Sequence, residues 1–168
     1  GDPVVVYDTA ADRWVMTDFA FQMSGGKVVS PTYECIAVSK TSNPYTGGWY
    51  LYGLQVSDSG VMADYPKVGV WPSGIFVTFN LFTSSFKNVR AYALNRDDLY
   101  AGLPARFVRY DLPQTSGGTT VFSLLPSNAR RPVGWDAAVG RPNYLASVYG
   151  SYAVRIWRFT PAWSTGGT

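Results

Sequence analysis

Histidine is absent from the 168-residue chain, and cysteine and glutamate each occur once, as Cys35 and Glu34. Without histidine the protein cannot build a Ser-His-Asp triad, a Cys-His pair, a His-ligated zinc site or an HExxH helix. A single cysteine also excludes an internal disulfide framework. Carboxylates, tyrosines and lysines are therefore the side chains left for any catalysis.

Charged residues are scarce as well, at 15% of the sequence, with a formal net charge of +3. Lys and Arg are scattered apart from the Arg130–Arg131 pair, so no basic stripe indicates a nucleic-acid partner. No apolar run is long enough to span a membrane. We expect no cofactor and no metal site, because Asp8 and Asp12 of the turn "DTAADRW" supply too few oxygen ligands for calcium.

Short β-strand patterns fill most of the chain. They are rich in Val, Ile, Tyr, Phe and Trp and are separated by Gly, Pro, Asn, Asp or Ser. The predicted strands are residues 4–8, 13–21, 33–39, 49–56, 67–71, 75–82, 88–94, 105–112, 132–135, 143–149 and 152–159. One helical pattern covers 95–102, where Asn95 can cap the start and Gly102 can end the helix. The sequence predicts an all-β protein with one short helix.

An internal repeat organises these strands. Pro3, Pro66 and Pro132 each precede a similar strand, which is followed by a tight polar turn and an aromatic-led strand. Units of about four antiparallel strands in meander order are typical of β-propeller blades. The predicted units are approximately 1–62, 63–129 and 130–168, with the helix inserted between the third and fourth strands of the second unit.

About two and a half blades cannot close a propeller, because closed propellers have roughly four to eight. Left open, the sheets would expose two edges and large apolar faces. We therefore predict a segment of a larger β-propeller, completed by the remainder of the same propeller or by further copies. A closed sandwich or jelly roll of similar length is the alternative architecture.

Five motifs occur in order along the chain: "GDPVVVYDTAADRWVMTDFAF", "YECIAVSKTSNPYTGGWYLYGLQV", "DYPKVGVWPSGIFVTFNLF", "VRAYALNRDDLYAG" and "RPNYLASVY…VRIWRF". Together they resemble a family of large exported bacterial β-propeller proteins that has no established activity. The resemblance implies a propeller that continues on both sides of this segment, and a secreted or cell-surface location. Where Tyr92 stands, members of that family often have a cysteine that could pair with Cys35. Where Asn128 stands they commonly have an acidic residue, so a shared metal site there is in doubt.

One mouth of the propeller channel is the predicted functional face. A residue just before an inner strand lies at that mouth, which places Asp2, Asp64 and Arg131 together, and the antiparallel return brings Tyr33 and Glu34 to the same side. Asp2, Asp64, Glu34 and Tyr33 are the candidates for the acid–base or nucleophilic chemistry of glycosidases and sialidases. The structural alternative is that each Asp only turns the chain and that Tyr33 and Glu34 form a half-exposed strand start.

Aromatic side chains are the other candidates for ligand contact. Tyr65 and Trp71, in or near a channel-lining strand, together with Arg131, are predicted to contact a carbohydrate or protein ligand. The first functional hypothesis is a non-enzymatic binding, adhesion or scaffold module of a secreted or cell-surface β-propeller protein. The alternatives are a carboxylate-based glycoside hydrolase or sialidase-like enzyme, and a structural subunit of an extracellular assembly.

Overall fold

The computed structural model describes residues 1–163, and its first layer is a four-stranded antiparallel meander, sheet 1. Its strands, in spatial and sequence order, are β1 (Val4–Asp8), β2 (Arg13–Ser24), β3 (Lys27–Ser39) and β4 (Trp49–Gln55). The β2–β3 hairpin is longer than predicted. Gly25 and Gly26 both adopt positive φ and form a tight turn between Ser24 and Lys27, so the ladder continues to the tip.

Sheet 2 repeats the same meander. It contains β5 (Met62–Trp71), β6 (Gly74–Phe82), β7 (Phe86–Leu94) and β8 (Phe107–Asp111). Helix α1 (Arg96–Ala101) lies between the third and fourth strands, as predicted. The Asn95 side chain accepts hydrogen bonds from the backbone N–H groups of Asp97 and Asp98, and Gly102 ends the helix in the left-handed conformation. Both predicted caps are confirmed.

Sheet 3 is the least regular layer. It consists of β11 (Leu125–Pro126), β12 (Asn143–Tyr149) and β13 (Ala153–Phe159), preceded by a small hairpin of β9 (Thr115–Ser116) and β10 (Thr119–Thr120). The predicted strand at 132–135 is wrong. Pro132 has no N–H for a strand ladder and Gly134 adopts a φ of 91°, so the chain turns there and enters helix α2 (Trp135–Ala138). The first strand of sheet 3 is therefore β11.

The three sheets stack in the order 1, 2, 3, and the central strands β6 and β7 of sheet 2 are buried on both faces. On β6, Ile75, Val77 and Phe79 pack in the hydrophobic cluster shared with sheet 1, whereas Phe76 packs in the cluster shared with sheet 3. Strand β5 lies beside both β1 and β11. Gly69 of β5 is required there, because a Cβ atom at this position would lie 2.5 Å from a backbone oxygen of sheet 3. The predicted all-β class is confirmed.

The outward faces of sheets 1 and 3 are apolar and exposed. Leu51 of sheet 1 is 78% exposed and Val148 of sheet 3 is 71% exposed. Other exposed apolar side chains on these two faces include Val5, Met16, Leu125, Val154 and Ile156. Strands β6 and β7 of sheet 2 have no such exposed face because a neighbouring sheet covers each of their sides, whereas Phe107 and Tyr110 of the edge strand β8 are 52% and 57% exposed.

A buried carboxylate connects sheet 1 to the helix of sheet 2. Asp8 accepts hydrogen bonds from the N–H groups of Ala10 and Ala11, which is the predicted turn role. It also accepts 2.6 Å hydrogen bonds from the Arg96 guanidinium and the Tyr100 hydroxyl. Burial alone would raise the pKa of Asp8, but the bonds from Tyr100 and Arg96 lower it below its ordinary value.

Replacing Asp8 by asparagine is expected to lower the free energy of unfolding by about 2 kcal/mol, because two charge-assisted hydrogen bonds between layers are weakened. Urea unfolding at pH 7 measures the change. Asp12→Asn is the matched control in the same turn: its side chain lies near the surface and its left-handed φ suits asparagine, so we expect a change below about 0.5 kcal/mol. Equal effects of the two substitutions would contradict the role assigned to Asp8.

Candidate binding site at the β5 bulge

Strand β5 is interrupted by a bulge that presents a tyrosine. Its pairing with β6 shifts register between Asp64 and Lys67, at the Tyr65–Pro66 step. Pro66 has no N–H to donate to the ladder, which explains the break. Tyr65 adopts a φ of 58°, an uncommon conformation for a non-glycine residue, and an Asp64 carboxylate oxygen accepts a 2.7 Å hydrogen bond from its N–H. The Tyr65 side chain is left exposed.

Lys67 lies over this tyrosine, and two carboxylates act on the lysine. The Lys67 ammonium lies 3.0 Å from the centre of the Tyr65 ring and donates a 3.1 Å hydrogen bond to the Pro66 carbonyl. Burial lowers the pKa of Lys67, and the negative charges of Asp2 and Asp64 partly oppose that effect. The structure thus brings the predicted mouth carboxylates Asp2 and Asp64 within electrostatic range of the same cation.

A cleft of about 390 Å³ opens between the bulge and sheet 3, and we call it the bulge cleft. It is lined on one side by Tyr65 and Lys67 of the bulge, and elsewhere by Thr119, Thr120, Phe122 and Ser123 together with Leu125, Val148 and Gly150 of sheet 3 and its hairpin turn. Ser123 also has a left-handed φ, of 50°, and the buried Asn80 side chain holds it with hydrogen bonds of 2.9 and 3.0 Å. Phe122 and Ser123 carry no local pattern that predicts a site, because their position follows from the β9–β10 hairpin that precedes them.

Glu34 does not lie at an open mouth. Its side chain is 0% exposed on the inner face of sheet 1, and neither carboxyl oxygen has a hydrogen-bond partner among residues 1–163. Burial, together with the nearby Asp18 charge, raises the pKa of Glu34 to about 7. The expected half-exposed position is therefore wrong for Glu34, whereas Tyr33 is exposed on the opposite face of the strand. In an acid–base pair both carboxyl groups must face one open pocket. Glu34 is buried and therefore does not face such a pocket.

Trp71 and Arg131 also lie away from the bulge cleft. Trp71 packs in the cluster between sheets 2 and 3, and its indole N–H donates a 3.0 Å hydrogen bond to the Arg141 carbonyl. The backbone N–H of Arg131 donates to the Thr9 hydroxyl at 2.7 Å, which places Arg131 beside the β1–β2 turn. Asp2 lies at the other end of β1. The expected equivalence of Arg131 with Asp2 and Asp64 is wrong, because β11 and not 132–135 is the first strand of sheet 3.

Asn128 and Tyr92, two positions that the sequence analysis singled out, have clear structural roles. Asn128 accepts a 3.0 Å hydrogen bond from the Val70 N–H through its side-chain oxygen, and so connects β5 to the segment after β11. Tyr92 is fully buried and its hydroxyl donates to the Gln55 carbonyl at 3.3 Å. Cys35 has a free, exposed thiol on the outward face of sheet 1.

Comparisons with known proteins supply no relative for this chain. No protein-family model matches it, and neither the curated proteins nor the solved structures contain a significant match. Within residues 1–163, no helix is long and apolar enough to cross a membrane. The same residues contain no group of three or more His, Cys, Asp or Glu side chains arranged to hold a metal ion.

Proposed function

We propose that this chain forms consecutive blades of a larger β-propeller and acts as a non-enzymatic binding module of a secreted or cell-surface protein, in an adhesive or scaffolding role. The observation that carries the proposal is the pair of exposed apolar faces at the two ends of the stack, together with burial of the central strands β6 and β7 of sheet 2 on both faces. Apolar faces of this kind are normally covered by another layer. The motifs that resemble exported propeller proteins support the location.

Strand register supports further blades before sheet 1. The last pairs before the turns are Asp8 with Arg13 in sheet 1 and Trp71 with Gly74 in sheet 2. Counted from these turns, Met16 of β2 corresponds to Val77 of β6. Val77 is buried against the preceding sheet, so Met16 lies on the face that a preceding sheet would cover.

The same logic applies at the other end of the stack. Leu145 of β12 packs against sheet 2, and Val148, three residues along the strand, points to the opposite face. The exposed face of sheet 3 at β13, with Val154 and Ile156, is thus the one that a following sheet would cover, whereas the β11 side of that face, where Leu125 and Val148 line the bulge cleft, would stay open. One end of the stack exposes the face that packs against a preceding sheet, and the other end exposes the face that packs against a following sheet. Further blades of one polypeptide, or further copies of the chain, can therefore pack on these faces as sheets 1, 2 and 3 pack on one another.

Cys35 is a natural probe of this proposal, because it lies on the outward face of sheet 1. In the chain of 168 residues we expect its thiol to react rapidly with a maleimide reagent. In the protein isolated from its native source, the covering layer should slow the reaction at least about tenfold. Mass spectrometry of the labelled protein gives the rate, and the intact mass separates one longer polypeptide from an assembly of copies.

A cysteine in the exposed loop between β3 and β4 provides the matched control. In a Cys35→Ser background, Ser42→Cys should react at the same rate in both forms of the protein, because that loop lies beyond the apolar face. Equal reactivity of Cys35 in the two forms would show that nothing covers sheet 1 and would overturn the proposal.

A further inference from the structure

We propose that the bulge cleft binds an uncharged saccharide, with Tyr65 and Phe122 as its aromatic contacts. The proposal deepens the binding role proposed above and names its site and ligand class. It rests on the chemistry of the cleft lining and on two residues in the left-handed conformation, Tyr65 and Ser123, that line the cleft. The volume of about 390 Å³ is within the range of small-ligand pockets.

The two aromatic side chains are exposed although neither belongs to a loosely held loop tip. Tyr65 is 49% exposed even though Lys67 lies over its ring, and Phe122 is 46% exposed while its ring packs 5.1 Å from that of Phe86. Rings fixed in this way offer an apolar surface at low entropic cost. The carbon-bound hydrogens on one face of a pyranose ring suit such a surface.

Two residues of the cleft adopt an uncommon backbone conformation. Of the four non-glycine residues with positive φ among residues 1–163, Tyr65 and Ser123 both line the bulge cleft. Each is held by a polar side chain, Tyr65 by Asp64 and Ser123 by Asn80. Strained residues of this kind concentrate at ligand sites.

The polar groups of the cleft match sugar hydroxyls. Thr119 and Thr120 supply hydroxyl groups that can both donate and accept hydrogen bonds. The Lys67 ammonium has three N–H donors, of which the Pro66 carbonyl takes one. The Lys67 charge is balanced by the nearby carboxylates of Asp2 and Asp64, so the site does not present the net positive charge that an acidic sugar requires. An uncharged saccharide fits this balance.

Tyr65→Gly tests the proposal, because it removes the ring and suits the left-handed backbone. The full chain is applied to an array of immobilised neutral oligosaccharides of glucose, galactose, mannose and N-acetylglucosamine, beside acidic ones that contain uronate or sialic acid. We expect wild-type protein to bind at least one neutral oligosaccharide. By calorimetry, Tyr65→Gly and Phe122→Ala should each weaken that binding at least about tenfold.

Thermal unfolding and a distant tyrosine separate binding from folding. Tyr65→Gly should unfold at the wild-type temperature or above it, since glycine adopts this φ without strain. Tyr45→Gly, at a 94% exposed tyrosine of the β3–β4 loop, should leave binding unchanged. Failure of every neutral oligosaccharide to bind, preference for the acidic ones, or full binding by Tyr65→Gly would each overturn the proposal. The Cys35 labelling result does not depend on any of these outcomes.

Discussion

Replacing Arg90 by methionine is expected to lower the free energy of unfolding by about 2 to 3 kcal/mol, because a buried guanidinium loses four hydrogen bonds while the two carboxylates left behind are 40% and 50% exposed and stay hydrated. Arg90 is 1% exposed on β7 and donates two hydrogen bonds to Asp111 of β8, at 2.6 and 2.8 Å. It also donates to Asp58 at 2.8 Å and to the Val56 carbonyl at 3.1 Å. One guanidinium therefore connects the last strand of sheet 2 to the segment that follows sheet 1.

Urea unfolding monitored by tryptophan fluorescence measures this change. Methionine keeps much of the side-chain volume, so the loss reports the hydrogen bonds and the charge more than a cavity. Arg109→Met is the matched control. Arg109 is half-exposed and its nearest carboxylate, on Asp58, is 3.9 Å away, so we expect a change below about 1 kcal/mol. If Arg90→Met were as stable as Arg109→Met, the central role of Arg90 would be refuted.

The free energy of unfolding of the wild-type protein is expected to fall as the pH rises, and Glu34→Gln is expected to remove most of this fall. The carboxyl pKa is 4.5 in the unfolded chain and about 7 in the fold, where burial disfavours the charge. Between these values the folded protein holds a proton that the unfolded chain has released, so stability falls as pH rises through this window. The full effect, reached above pH 7, corresponds to about 3 kcal/mol.

Unfolding free energies at pH 4, 6 and 8 test this expectation. Wild type and Glu34→Gln should be nearly equal at pH 4, where the carboxyl is protonated in both states, and the variant should be more stable by up to about 3 kcal/mol at pH 8. Glu34→Asp is a second variant that retains a titrating group, so its stability should still fall between pH 4 and 8. A Glu34→Gln variant that is less stable than wild type at pH 8 would show that the carboxylate is stabilised in the fold.

Local features were predictable where they depend on neighbouring residues in the chain. The bounds of β1 and β12 agree with the predicted strands, and Asn95 and Gly102 cap α1 as expected. These features follow from β-branched and aromatic runs, from turn residues and from cap chemistry, all of which act within a few positions. The insertion of α1 between the third and fourth strands of sheet 2 was equally predictable, because it follows from the order of these elements.

The sequence by itself thus determined the β class, most strands and the helix caps, while the tertiary structure alone decided which faces are buried. The sequence pattern around Glu34 predicts a half-exposed strand residue. In the fold Glu34 is buried, because it lies on the inner face of sheet 1, which packs against sheet 2. The bulge cleft likewise exists because β5 meets the segment of Phe122 and Ser123, more than fifty residues later in the chain. Burial and clefts depend on contacts between distant segments, and the two-residue periodicity of a strand does not specify which face another sheet covers.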